Sequence, residues 1–109
     1  MDKLIRKNIH QISELCERYG VRKLYAFGSV VSGKFSEENS DIDLLVELLP
    51  MSPMDRGEAL LELWDQLEKL FNRKVDLVSE QSVRNPYFFS SLEATKQLIY
   101  DREKQEISV

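Results

Sequence analysis

The sequence predicts an α/β (α+β) fold, a short mixed β-sheet with helices packed against it. Three short runs rich in β-branched and aromatic residues, VRKLYAF, DIDLLVELL and RKVDLVS, read as strands. Two longer stretches, near residues 4–19 and 53–71, space their apolar residues by three and four and read as helices. Strands and helices alternate along the chain, the pattern of helices covering a sheet.

Leu4, Ile5, Ile9, Ile12, Leu15, Cys16 and Tyr19 line one side of the first helix, and Gly20 ends it. VRKLYAF then forms a strand that stops at Gly28-Ser29. The polar segment VVSGKFSEENS predicts a short helical turn and a loop before the second strand, DIDLLVELL. Ser52-Pro53 supplies an N-cap and a first-turn proline for the long helix, whose apolar stripe is Leu60, Leu61, Leu63, Trp64, Leu67, Leu70 and Phe71. RKVDLVS is the third strand. NPYFFSSLEATK predicts a last short helix, and LIY adds a terminal strand.

The 109 residues match the common size of one domain, expected to span 1–109 with a charged tail, DREKQEISV, frayed from about 101. Hydrophobic residues make up 42% and charged residues 31%, a balance that excludes fibrous and disordered classes. The net charge of −4 argues against a protein that grips nucleic-acid phosphates, which needs clustered Lys and Arg. Cys16 is the only cysteine, so an internal disulfide is excluded and a cytoplasmic setting fits. On the apolar side of its helix, Cys16 reads as a small buried hydrophobe, whereas His10 falls on the polar side.

The chemistry concentrates on a few acids. Side chains alternate along a strand, so Asp41 and Asp43 share one face of DIDLLVELL while Ile42, Leu44 and Val46 share the other. Two carboxylates on a rigid strand repel each other unless a cation lies between them, and hard oxygen ligands suit Mg²⁺. The plain alternative is a solvated strand edge whose charges deter aggregation. Asp76, flanked by Val75 and Leu77, repeats the pattern; it is either a strand-end acid paired with a base or a third carboxylate. If its strand lies beside that of Asp41 and Asp43, the three converge on a site for two metal ions. Gly28 lets backbone approach a phosphate closely, and Ser29 adds a hydroxyl at a helix start, as an N-cap, as a phosphate ligand or as both. Phosphate contacts on one side and metals on the other form the layout of phosphoryl and nucleotidyl transfer.

Together FGSVVSGKFSEENSDIDLLV and KVDLV resemble the signature of the DNA polymerase-β-like nucleotidyltransferase superfamily: Gly-Ser, a loop, Asp-x-Asp, then a third Asp. The short length, SDIDLLV and the closing NPYFFSSLEATKQLIY are similar to the minimal nucleotidyltransferases, or MNT proteins. The resemblance implies metal ligation by Asp41 and Asp43, a third carboxylate and general base at Asp76, and triphosphate binding at Gly28 and Ser29. It further implies Mg²⁺ as cofactor, ATP as substrate, and a HEPN toxin as partner, neutralised by addition of AMP to a tyrosine. Two features depart from the usual pattern. Eleven residues (Val30 to Ser40) separate Gly-Ser from the first Asp where ten are commoner, and Ser32 stands where Arg is frequent.

Three functions compete at this level. The first is an Mg²⁺-dependent AMP transferase acting on a hydroxyl. The second is a non-catalytic antitoxin that neutralises its partner by covering it. A third, modification of a small molecule such as an antibiotic, usually needs a further domain to hold the acceptor. Association with a partner or with a second copy is expected of so small a domain. Tyr87, Phe88 and Phe89 serve such an interface or cover the protein's own sheet.

Overall fold

The computed structural model describes residues 3–28, 31, 41–80, 85, 87, 90, 94–104 and 106–107. Two short helices, α1 (Lys3–Lys7) and α2 (Ile9–Arg18), stand where one was expected. The break is at Asn8. Its side-chain amide donates to the Leu4 carbonyl at 2.9 Å, taking the acceptor that its backbone N–H would use in a continuous helix. That N–H turns instead to the Ile5 carbonyl. Ile5, Ile9, Ile12, Leu15 and Cys16 are nevertheless all buried in the core. Gly20 follows in the left-handed region, φ 71°, and the chain enters β1 (Val21–Phe27).

β2 (Ile42–Leu48) returns antiparallel to β1. The long helix α3 (Pro53–Phe71) opens as expected: the Ser52 side chain accepts from the Asp55 N–H, Pro53 fills the first turn, and Asn72 closes the helix in the left-handed conformation. This helix carries the chain over to β3 (Val75–Ser79), which lies parallel to β2, as a strand–helix–strand crossover requires. β4 (Gln97–Asp101) pairs with the other side of β1, and β5 (Glu106–Ile107) pairs with β4. The sheet order is β3-β2-β1-β4-β5. A mixed sheet with helices packed on it is the expected fold.

The main core lies between the helices and one face of the sheet. Leu24 and Ala26 of β1, Ile42, Leu44 and Val46 of β2, Val75 and Leu77 of β3, and Ile99 of β4 meet α2 and the Leu63, Leu67 and Phe71 side of α3. Along the stripe of α3 the exception is Leu61, 69% exposed. It sits one residue off the row through Leu60, Leu63, Trp64 and Leu67, which rotates it about 100° away from the sheet. Trp64 is half-buried and ties α3 to β3: its indole N–H donates to the Val75 carbonyl at 2.6 Å, while the Val75 N–H donates to Glu68 Oε2 at 3.0 Å.

The expected fraying from residue 101 does not hold for the residues described. Asp101 is a buried strand residue, and Arg102 donates to the carbonyls of Val21, Cys16 and Glu17, tying the chain to the end of α2. Local charge gave no hint of those partners, which lie more than eighty residues away in sequence. The loop VVSGKFSEENS lies outside the described residues except Val31, whose N–H donates to the Gly28 carbonyl. Most of NPYFFSSLEATK, including Phe88 and Phe89, also lies outside them; Tyr87 is 86% exposed.

Candidate active site

Register brings the predicted acids together. Asp43 pairs across β1 with Phe27 and across β3 with Asp76, so it sits on an interior strand with a second carboxylate on the neighbouring strand. Asp41 immediately precedes β2, exposed at the end of the same strand. Because Ile42 and Leu44 are buried beneath the helices, strand alternation sends Asp43 to the opposite face of the sheet. The same reasoning holds for Asp76 between buried Val75 and Leu77.

Electrostatics mark Asp43 as the centre of the group. Its carboxyl is pushed above the ordinary aspartate value, first by partial burial and then by the negative charges of Asp76 and Asp41. Lys74 Nζ stands 4.0 Å from Asp41 Oδ2, an exposed ion pair at the rim. Gly28 presses directly on the site. A Cβ there would fall on Asp43 Oδ2 and lie 3.2 Å from Asp43 Cγ, and the backbone is left-handed at φ 71°. Glycine is therefore required twice over, by space and by φ. Ser29, the other predicted phosphate contact, lies outside the described residues.

The donor chemistry fits a hard divalent cation: anionic oxygens, mutually repelling, anchored on adjacent strands. Among the described residues no three His, Cys, Asp or Glu side chains stand close enough together to enclose an ion by themselves. Mg²⁺ commonly takes one or two protein carboxylates and completes its shell with water and substrate phosphates. A cavity of about 230 Å³ elsewhere, between Arg22, Glu47, Arg56 and Glu80, lies at the far end of β2 and mixes both signs of charge. It lacks the carboxylate grouping of the Asp43 end.

Two features of the site escaped the sequence reading. Phe27 and Leu45 form a second, smaller apolar cluster with Tyr25 and Val78 beside the acids, on the face that carries Asp43. Leu45 was the available signal, an apolar residue in phase with Asp43. Lys74 was passed over as part of a strand, although K-V-D spacing places it in phase with Asp76.

Comparison with known proteins agrees with this fold. Residues 10–105 match the family model of the polymerase beta nucleotidyltransferase domain. A Methanocaldococcus jannaschii protein named "Putative protein adenylyltransferase MJ1379" is 41% identical over 86 residues, 79% of this chain and 82% of that one. "Protein adenylyltransferase MntA" of Thermococcus cleftensis is 39% identical over 72 residues, 66% of this chain and 69% of that one. A solved toxin–antitoxin structure with AMP-PNP superposes with a TM-score of 0.69 at 23% identity, covering 89% of this chain and 76% of that one, a likeness of fold. With the family model matched over residues 10–105, nearly all of the sequence, the chain belongs to the polymerase-β family of nucleotidyltransferases.

Proposed function

We propose that this nucleotidyltransferase moves AMP from ATP to a protein hydroxyl, with Mg²⁺ held at Asp41, Asp43 and Asp76, and that the acceptor is a tyrosine of a HEPN-type toxin partner. The observation that carries the reading is the register of Asp43 opposite Asp76, with Asp41 near enough to raise the Asp43 carboxyl further. Relatives named as protein adenylyltransferases support AMP as the transferred group. The toxin–antitoxin neighbour with AMP-PNP supports both a nucleotide and a partner protein.

In this reading Asp41 and Asp43 hold the cations, and Gly28 lets the backbone approach the triphosphate without a side chain in the way. When bound, Mg²⁺ supplies charge neutralisation at the phosphates and polarises the reacting oxygens. Asp76 takes the proton of the acceptor hydroxyl. The acceptor oxygen bonds to the α-phosphorus as the bond from that phosphorus to the β-phosphate breaks, and pyrophosphate leaves with the electron pair. Catalysis of this type is mostly positioning and neutralisation of charge, which a rigid interior strand supplies. Ser29 is assigned to the triphosphate.

The test is intact-mass measurement of a co-expressed partner after incubation with this chain, ATP and Mg²⁺, against an Asp41→Asn/Asp43→Asn control. A gain of one or more AMP units that needs the metal and vanishes in the control is expected. A stable complex that protects the partner with no gain in mass would replace this reading with a covering antitoxin.

A further inference from the structure

The pairing that sets Asp43 opposite Asp76 continues one step toward the strand ends. Ile42 pairs with Val75, and the Ile42 N–H donates to the Lys74 carbonyl at 3.2 Å. Lys74 therefore stands opposite Asp41 as Asp76 stands opposite Asp43. Alternation puts Lys74 in phase with Asp76, and the 4.0 Å approach of Lys74 Nζ to Asp41 Oδ2 places its ammonium on the side of the acids. Asp41, Asp43, Lys74 and Asp76 thus take four neighbouring register positions, two by two, at one end of β2 and β3.

The ammonium corner is the loose one. The Lys74 side chain is 73% exposed and that of Asp41 49%, so solvent screens the pair and it contributes little to holding the fold. Its geometry is suited to exchange. An ammonium is a compact charge on a flexible stem, able to leave one oxygen anion for another within its reach. A cation held at Asp41 would compete with Lys74 for that carboxylate, and a bound triphosphate would offer the released ammonium oxygen anions within reach of its flexible stem.

We propose that Lys74 is a triphosphate-binding residue of the site, stationed on Asp41 in the free protein and transferred to a non-bridging phosphate oxygen when cation and nucleotide bind. The proposal rests on the metal and nucleotide reading above. It makes Lys74 an opponent of the cation alone and an ally of the nucleotide with its cation. A side chain with a merely structural role would not act with opposite signs on the two.

Two titrations on the full chain separate these effects. In the first, Mn²⁺ alone is titrated and followed by electron paramagnetic resonance. In the second, a non-hydrolysable ATP analogue is titrated calorimetrically at saturating Mg²⁺. Lys74→Met is expected to tighten Mn²⁺ binding about two- to fivefold, the range of an exposed ion pair. The same variant is expected to weaken analogue binding roughly tenfold, as for loss of one charge-assisted hydrogen bond. Lys74→Arg, which keeps the charge, should stay within roughly threefold of the native protein for the analogue. If Lys74→Met leaves analogue affinity unchanged, or shifts both affinities the same way, the proposal is overturned while the metal site stands. If Asp43→Asn binds Mn²⁺ as tightly as the native protein, the metal reading itself falls and the role of Lys74 falls with it.

Discussion

Gly28→Ala puts two separable physical effects on one atom. The first is backbone strain: Gly28 holds φ 71°, and a residue with a Cβ costs about 1–2 kcal/mol in the left-handed region. For a domain of this size that corresponds to a fall in melting temperature of roughly 4–9 °C. The second effect is collision, because the new methyl would fall on Asp43 Oδ2 and lie 3.2 Å from Asp43 Cγ. The carboxylate must withdraw by about 1 Å, a misplacement that costs on the order of 100-fold in rate where geometry drives catalysis. Melting curves, Mn²⁺ affinity and AMP transfer report the two effects independently. An Asp43→Ala background removes the collision and leaves the strain, so there Gly28→Ala should cost only the backbone component. If Gly28→Ala lowered the melting temperature but bound Mn²⁺ and transferred AMP like the native protein, the contact with Asp43 would have no functional weight. An unchanged melting temperature would refute the strain argument.

Asp43→Asn should stabilise the fold at pH 7 in the absence of metal. The folded protein holds the Asp43 proton more tightly than the unfolded chain, so stability falls as pH rises from the ordinary value of 3.8 through the raised folded value, and the penalty is fully present above it. Urea unfolding across that range should show the gain from Asn at neutral pH and its disappearance near pH 3.8; a variant less stable than the native protein at pH 7 would contradict the assignment of repulsion and burial. Trp64→Phe removes the indole donor to the Val75 carbonyl next to Asp76 and should cost about 1–2 kcal/mol by urea unfolding. A cost below about 0.3 kcal/mol would mean that the contact does not hold α3 to β3.

Much of the site was legible because its information is local. Alternation alone assigned Ile42, Leu44 and Val46 to the core and Asp43 to the other face, and the structure keeps that division. Ser52-Pro53 fixed the start of α3 through cap chemistry confined to four residues. Much of what escaped depends on partners distant in sequence. LIY reads as a terminal strand, and the structure forms β4 there, but nothing in it states that β4 lies against β1, with Ile99 and Tyr100 both buried at a register shift. Arg102 looked like part of a charged tail because its three carbonyl partners come from the end of α2 and the start of β1. The break at Asn8 turns on one side-chain amide outcompeting a backbone N–H, a choice that periodicity does not register.

The position of Asp43 within the sheet explains how a small domain can hold like charges together. β2 is flanked by β1 and β3, and the residues before and after Asp43 are locked in the main core, where truncation of a buried leucine typically costs about 2–5 kcal/mol. Its carboxylate cannot relieve repulsion from Asp76 by moving the strand without undoing that packing. The repulsion is therefore carried by the folded state and is lost on unfolding, when the strands separate. Under the proposed function a cation bound between the carboxylates would cancel it in the folded state alone and link metal binding to folding, so added Mg²⁺ should raise stability in proportion to the logarithm of its concentration above the dissociation constant. The same rigidity that makes the metal-free site unfavourable holds the oxygens in place before the nucleotide arrives, which is the condition for catalysis by positioning.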